Sequence, residues 1–211
     1  MTDVGGLRLA LQQMPVIGII RGCPVEHVID IGSAASAAGI TVIEITLDSP
    51  QPDVALRNLA AACPALVVGV GTVRTPRDVE FAVEAGASFI VTPMFSPAVV
   101  ATALSLDLPI LAGASTPSEI WAALEAGAFA VKVFPAQELG GPAYLKAIRG
   151  PLGHPPLVPT GGVGIGNGPA YLEAGALALG VGGSVFPLQS LVAGDAVHVG
   201  SLAAELVRSL Q

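Results

Sequence analysis

The sequence predicts an α/β fold, a single (β/α)8 TIM barrel occupying residues 1–211. Three observations carry that expectation. A phrase recurs along the chain: AAGI at 37–40, EAGAS at 84–88, EAGAF at 125–129 and EAGAL at 173–177. Its glycines, Gly39, Gly86, Gly127 and Gly175, stand 47, 41 and 48 residues apart. Each phrase ends an alanine-rich stretch and opens a short apolar run. That is how a helix stopped by glycine and followed by a buried parallel strand reads. A spacing in the forties fits two βα units of roughly 20 to 25 residues each. The composition is the third observation. With 52% hydrophobic and 12% charged residues the chain is not disordered, since disorder needs low hydrophobicity and high charge. Scarce aromatics (4%) beside 26 glycines and 18 prolines suit many aliphatic elements joined by tight turns.

Eight apolar runs are strand candidates, at 16–20, 41–46, 65–68, 89–91, 109–111, 130–133, 157–158 and 176–179. Helical stretches follow most of them, at about 25–38, 53–62, 76–85, 97–104, 117–126, 143–148 and 168–174. Pro76, Pro97 and Pro117 suit helix starts, because the first helical position needs no N–H. A last helix is expected over 197–210. Strictly alternating strand and helix argues a parallel sheet. No linker or change of composition points to a second domain.

Several function classes are excluded early. The net charge is −7 and no run of Lys or Arg occurs, so non-specific nucleic-acid binding is not expected. The mean hydropathy is +0.72, and three uncharged stretches occur at 85–106, 150–172 and 174–194. Gly, Pro, Ser and Thr interrupt each of them, unlike the roughly 20 predominantly apolar residues of a membrane helix. Cys23 and Cys63 form no pattern and read as ordinary thiols, and no basic leader precedes an apolar stretch, so a cytoplasmic protein is expected. No Walker-type motif or dinucleotide fingerprint occurs. His27, His154 and His198 have no metal-ligand spacing, so neither metal nor cofactor is expected.

Barrel sites lie at the C-terminal ends of the strands, so the polar residues there are the candidates. Lys132 stands out. It is one of only two lysines and lies inside the apolar strand FAVKVFP. Burying an ammonium is costly, and burial makes a neutral amine available, as Schiff-base chemistry on a carbonyl requires. The alternative is a lysine that snorkels to the rim or pairs with an acid. Glu44, in ITVIEITL, is the second candidate, as a buried ion-pair partner or as a general acid/base. Thr160-Gly161-Gly162 and Gly182-Gly183-Ser184 follow strands 7 and 8, where this fold often binds phosphate. Glycines allow close backbone approach there, and Ser184 is expected to cap a helix. Arg21, Thr72 and Pro93 follow strands 1, 3 and 4.

These residues sit in PVIGIIRG, AGITVIEITL, VGVGTV, AGASFIVTP, KVFPA, VPTGGV and GVGGSVFP, over residues 15 to 187. In that order and spacing they resemble the bacterial 2-keto-3-deoxy-6-phosphogluconate (KDPG)/4-hydroxy-2-oxoglutarate (KHG) aldolases, metal-independent class I lyases on a (β/α)8 barrel. The resemblance implies that Lys132 forms the Schiff base with the C2 ketone and that Glu44 is the general acid/base. It implies that Arg21, Thr72, Pro93 and Phe134 line the site, and that Thr160, Gly161, Gly162, Gly183 and Ser184 contact the hydroxylated, phosphorylated end. Gly182 joins that phosphate set by position. The implied products are pyruvate and glyceraldehyde 3-phosphate, and the implied assembly is a homotrimer. One phrase departs from the gluconate-type pattern: TLDSPQ carries Asp48 where those enzymes commonly have Arg. TLDSPQ and GIIRG look more like the 2-keto-3-deoxy-6-phosphogalactonate branch, while Thr160 looks like the gluconate branch. The C4 epimer preferred therefore stays open, with dual specificity one alternative and 4-hydroxy-2-oxoglutarate as substrate another. Two other classes compete: a phosphosugar isomerase or epimerase on the same fold, and a binding protein without catalysis.

Overall fold

Apolar runs of two to five residues with their backbone groups paired on both sides become the eight strands: β1 Val16–Ile20, β2 Val42–Thr46, β3 Val67–Gly71, β4 Ile90–Val91, β5 Ile110–Ala114, β6 Ala130–Val133, β7 Leu157–Pro159 and β8 Leu179–Val181. The helices are α1 Val4–Gln13, α2 Val28–Ala37, α3 Pro52–Ala62, α4 Pro76–Ala85, α5 Pro97–Ser105, α6 Pro117–Glu125, α7 Gly141–Arg149, α8 Gly168–Glu173, α9 Leu188–Ala193 and α10 Ala196–Ser209. This is a computed structural model, and it describes residues 4–211. All strand pairs are parallel, in the order β7-β6-β5-β4-β3-β2-β1-β8. A single parallel bridge, Thr160 to Gly180, joins the two ends of that order. The result is the (β/α)8 barrel that the sequence predicts.

Local chemistry explains where the helices begin and end. Pro76, Pro97 and Pro117 each open a helix. Thr75 and Thr116 form capping boxes with Asp78 and Glu119, so two otherwise unpaired N–H groups are satisfied at each start. The four repeat glycines all take positive φ, between 87° and 107°, where a side chain would be strained.

Strand alternation sorts the core into two layers. Inside the barrel lie Ile17, Val42, Phe89, Val91, Leu111, Ala130, Val158 and Ala178. Their strand neighbours Val16, Ile43, Ile45, Ile110, Val131 and Leu157 face outward and pack in the second cluster with the helices. Glu44 shares its parity with Val42, and Lys132 with Ala130. Both therefore point into the barrel.

The structure departs from the sequence expectation in five places. Two helices were not foreseen, α1 and α9. In α1, Leu7 and Leu11 are buried among the interior residues and plug the barrel at the N-terminal ends of its strands. Strand β3 runs to Gly71 rather than ending at 68, because Gly69 and Gly71 pair with Glu44 and Thr46 in the ladder to β2. Strand β5 likewise runs on through Gly113 to Ala114. Strand β8 begins at Leu179 rather than at 176, since Gly175 to Ala178 are still turning out of α8. Among the described residues, no helix is long and apolar enough to cross a membrane.

Candidate active site

The interior of the barrel stops being apolar where Glu44 follows Val42 on β2 and Lys132 follows Ala130 on β6. Glu44 is 1% exposed and Lys132 7% exposed. Lys132 Nζ lies 3.8 Å from Glu44 Oε1, an ion-pair distance but beyond a hydrogen bond. Glu44 Oε1 has no hydrogen-bond partner in the protein. Burial holds the Glu44 carboxyl above the ordinary carboxylate range, and the charges of Lys132 and Arg21 offset part of that rise. A cavity of about 10 Å³ is lined by these two side chains together with Val158 and Thr160. The place for the carboxylate is made by Gly71: a Cβ there would stand 2.5 Å from Glu44 Oε1.

Above this layer a cleft of about 820 Å³ opens at the C-terminal ends of the strands. Arg21, Thr72, Pro93, Lys132, Phe134, Thr160, Gly161, Gly162, Gly182, Gly183 and Ser184 line it. Eleven of the twelve residues singled out from the sequence thus share one cleft, and Glu44 lies directly beneath it. Arg21 and Lys132 are the only charged residues in the lining. The lining of a chain of net charge −7 thus carries two cations and no carboxylate, the paired Asp48 and Glu44 standing outside it, which favours an anionic ligand.

Each wall has its own construction. On the β1 side, Arg21 pairs through Nη1 with Asp48, while its Nη2 donates to Thr72 Oγ1 at 3.2 Å. Partial burial acts to raise the Asp48 carboxyl, but hydrogen bonding from Thr46 and the Arg21 charge hold it below the usual range. Thr72 has φ 64°, a left-handed conformation that costs a non-glycine residue roughly 1–3 kcal/mol. That backbone aims its hydroxyl at Arg21. On the β6 side, Phe134 and Pro135 are joined by a cis peptide, and the Lys132 ammonium lies 5.7 Å from the Phe134 ring centroid. Ser115 Oγ donates to the Phe134 carbonyl at 2.6 Å, and Tyr144 OH donates to the Ser115 carbonyl at 2.7 Å.

The third wall is the glycine-rich β7–α8 loop, residues 161–167, facing residues 182–184. Ser184 caps no helix here, contrary to the sequence expectation. Helix α9 begins four residues later, and the Ser184 hydroxyl donates to the Val163 carbonyl at 2.9 Å. Sequence reasoning also passed over Asn167, which lines the cleft, and Gln137, which packs behind it. Their only signal was position: Asn167 closes the run GGVGIGN, and Gln137 follows Lys132 by five residues. Among the described residues, no group of three His, Cys, Asp or Glu is placed to hold a metal ion.

Such an arrangement can present a buried amine and a carboxyl of raised proton affinity to a carbonyl compound, with cations and backbone amides around it. The chain as a whole is similar to several known proteins. The family model described as "KDPG and KHG aldolase" matches residues 7–202. The 2-dehydro-3-deoxy-phosphogluconate aldolase of Treponema pallidum (strain Nichols) is 36% identical over 200 residues, covering 94% of this chain and 95% of that protein. A Rhizobium meliloti (strain 1021) protein named "Probable 2-dehydro-3-deoxy-6-phosphogalactonate aldolase" is 35% identical over 185 residues, 87% of this chain and 86% of its own. Among solved structures, the KDPG aldolase of Legionella pneumophila with pyruvate captured as a covalent carbinolamine superposes with a TM-score of 0.86. It is 28% identical, and the match covers 95% of this chain and 97% of that one. By the family match and these relatives, the chain belongs to the KDPG and KHG aldolase family.

Proposed function

We propose that this chain is a class I aldolase that cleaves 2-keto-3-deoxy-6-phosphogluconate to pyruvate and glyceraldehyde 3-phosphate. The observation that carries the reading is the buried Lys132–Glu44 pair at the foot of the cleft. The relatives named for this substrate support it, as does the carbinolamine trapped in the Legionella protein.

In the proposed reaction the Lys132 amine adds to the C2 carbonyl, giving a carbinolamine that loses water to a protonated imine. Glu44 takes the proton from the C4 hydroxyl. The C3–C4 bond then breaks, its electrons pass to the iminium, and the aldehyde leaves with C4 as its carbonyl carbon. The enamine that remains is protonated at C3 by Glu44, and water releases pyruvate and restores the amine. A carboxyl of raised proton affinity suits both halves of this exchange. The iminium serves as electron sink, so the reaction as proposed needs no metal. Arg21, held by Asp48 and Thr72, is positioned to receive the keto acid's carboxylate. Phe134 and Pro93 wall the reacting carbons, and Thr160 faces the hydroxylated chain. Gly161, Gly162, Gly182, Gly183 and Ser184 take the phosphate through close backbone approach. Family membership also carries the proposal of a homotrimer in the cytoplasm, which sedimentation mass and cell fractionation check.

A second reading, the galactonate-series epimer, is favoured by the Rhizobium relative. The experiment is a coupled assay of pyruvate release with both C4 epimers. Release from the gluconate compound is expected. Release from the galactonate compound alone would shift the assignment to that substrate. Release from neither would overturn the assignment to a phosphorylated sugar acid, leaving 4-hydroxy-2-oxoglutarate as the family substrate to assay.

A further inference from the structure

The β7–α8 loop has glycines at 161, 162, 164 and 166, so nothing in its own composition holds its shape. Beside the Ser184 hydroxyl on the Val163 carbonyl, three side chains hold it: Asn167, Gln137 and Tyr171. Asn167 bridges the loop: its Oδ1 accepts from Gly164 N–H at 2.9 Å, and its Nδ2 donates to the Gly162 carbonyl at 2.8 Å. The same Nδ2 lies 3.3 Å from Gln137 Oε1. Gln137 Oε1 also accepts from Tyr171 OH at 3.3 Å, and the Gln137 backbone N–H donates to the Gly161 carbonyl at 3.1 Å. Packing reinforces the bonding. Gly162 has φ 71°, and a Cβ on it would stand 2.5 Å from Gln137 Cβ. The loop is thus pressed directly onto the segment that continues from Lys132.

We propose that Asn167 and Gln137 are positioning residues that pin the 161–164 backbone into the seat for the substrate's phosphate, and so set the preference for phosphorylated over unphosphorylated keto acids. This rests on the aldolase reading above. The Asn167 amide is used on both its acceptor and its donor side, so the loop has one arrangement rather than many. The amide supplies both functions from two different atoms of one planar group. A pinned loop presents its amides without ordering on binding. A free one has to be ordered by the ligand, and affinity falls accordingly. Lys132 and Glu44 make no hydrogen bond to any of the three side chains, so the pyruvate half of the reaction is expected to be indifferent to them.

The test compares Asn167→Ala with the unaltered protein in three readouts. These are kcat/KM on the 6-phosphorylated substrate, kcat/KM on its unphosphorylated counterpart, and inhibition by inorganic phosphate. A displacement of about an ångström costs on the order of 10²-fold. The expected result is therefore a loss of about 10- to 100-fold on the phosphorylated compound, carried by KM, and weakened phosphate inhibition. Activity on the unphosphorylated compound stays within about twofold. Gln137→Met keeps the packing against Gly162 and removes the side-chain amide, and with it the Oε1 that accepts from Asn167 and Tyr171. It is expected to act in the same direction, and it serves if Asn167→Ala does not fold. Equal loss on both substrates, or no loss on either, overturns the proposal. Borohydride trapping of pyruvate on the same samples separates the two readings. No adduct with the unaltered protein overturns the aldolase assignment and this proposal with it, whereas a normal adduct with unchanged phosphate preference overturns this proposal alone.

Discussion

Glu44 Oε1 and Lys132 Nζ lie 3.8 Å apart inside the barrel, close enough to feel each other's charge and too far to share a proton directly. The two residues stand on opposite sides of the barrel, on β2 and β6. Their approach is therefore a property of the closed barrel and not of any local segment. Strand alternation turns both inward, and Gly71 leaves the carboxylate its space.

Replacing Gly71 by Ala is predicted to disturb the site without touching substrate. The new methyl would meet Glu44 Oε1 at 2.5 Å and Cδ at 2.7 Å, and Glu44 is buried on every side. Overpacking of this kind costs roughly 1–3 kcal/mol. The Glu44 carboxylate also has to move, so kcat is predicted to fall by about 10²-fold. Urea denaturation and steady-state rates check the two parts separately.

Glu44→Gln is predicted to slow exchange of the pyruvate C3 protons by about 10²- to 10⁴-fold, the usual contribution of a positioned acid/base. NMR in deuterium oxide measures it, and an unchanged rate removes Glu44 from that role. The same variant has a pH signature. Because burial raises the Glu44 carboxyl in the folded state, the folded protein holds that proton more tightly than the unfolded chain. The contribution to stability is fully present below roughly pH 4.3, the ordinary glutamate value, and is lost as pH rises through the raised one. The glutamine variant lacks this loss. Its stability relative to the unaltered protein is predicted to increase from about pH 4 upward, and denaturation midpoints across that range decide it.

Leu11→Ala is predicted to destabilise the barrel and spare its chemistry. Leu11 is 2% exposed in the α1 plug, at the end of the barrel remote from the cleft. Truncating a buried leucine costs about 2–5 kcal/mol. Calorimetry is expected to show the drop, while kcat of the folded protein at low temperature stays unchanged.

The two thiols are predicted to differ in reactivity. Burial pushes the Cys23 thiol up to about 11, with Glu26 adding to the rise. At pH 8 only about one part in a thousand is then thiolate, the reactive form. Cys63 is half-buried beside Ser33 Oγ at 3.2 Å. A disulfide reagent is expected to modify Cys63 first and Cys23 only on unfolding, as peptide mapping will show.

The alternation of apolar runs with glycine-stopped alanine-rich stretches made the barrel legible in the sequence, because helix stops and buried strands have local causes. The residues at strand ends then made eleven of the eighteen cleft-lining residues legible, since the fold dictates where a strand ends. What stayed hidden depends on non-local packing. Helix α1 reads as an unremarkable amphipathic segment, and only the closed barrel gives Leu7 and Leu11 a place to go. The glycines of β3 read as loop because their reason for being glycine is a side chain on another strand. Asn167 and Gln137 are ordinary polar residues in sequence. They acquire meaning only when the loops after β6 and β7 are brought together.

The most direct test of the central claim is covalent. The protein is incubated with pyruvate and borohydride, digested, and the modified peptide is located by mass spectrometry. The account predicts one reduced pyruvate adduct on Lys132, absent from Lys132→Ala while that variant keeps its circular dichroism. An adduct elsewhere, or none on the folded protein, would contradict it.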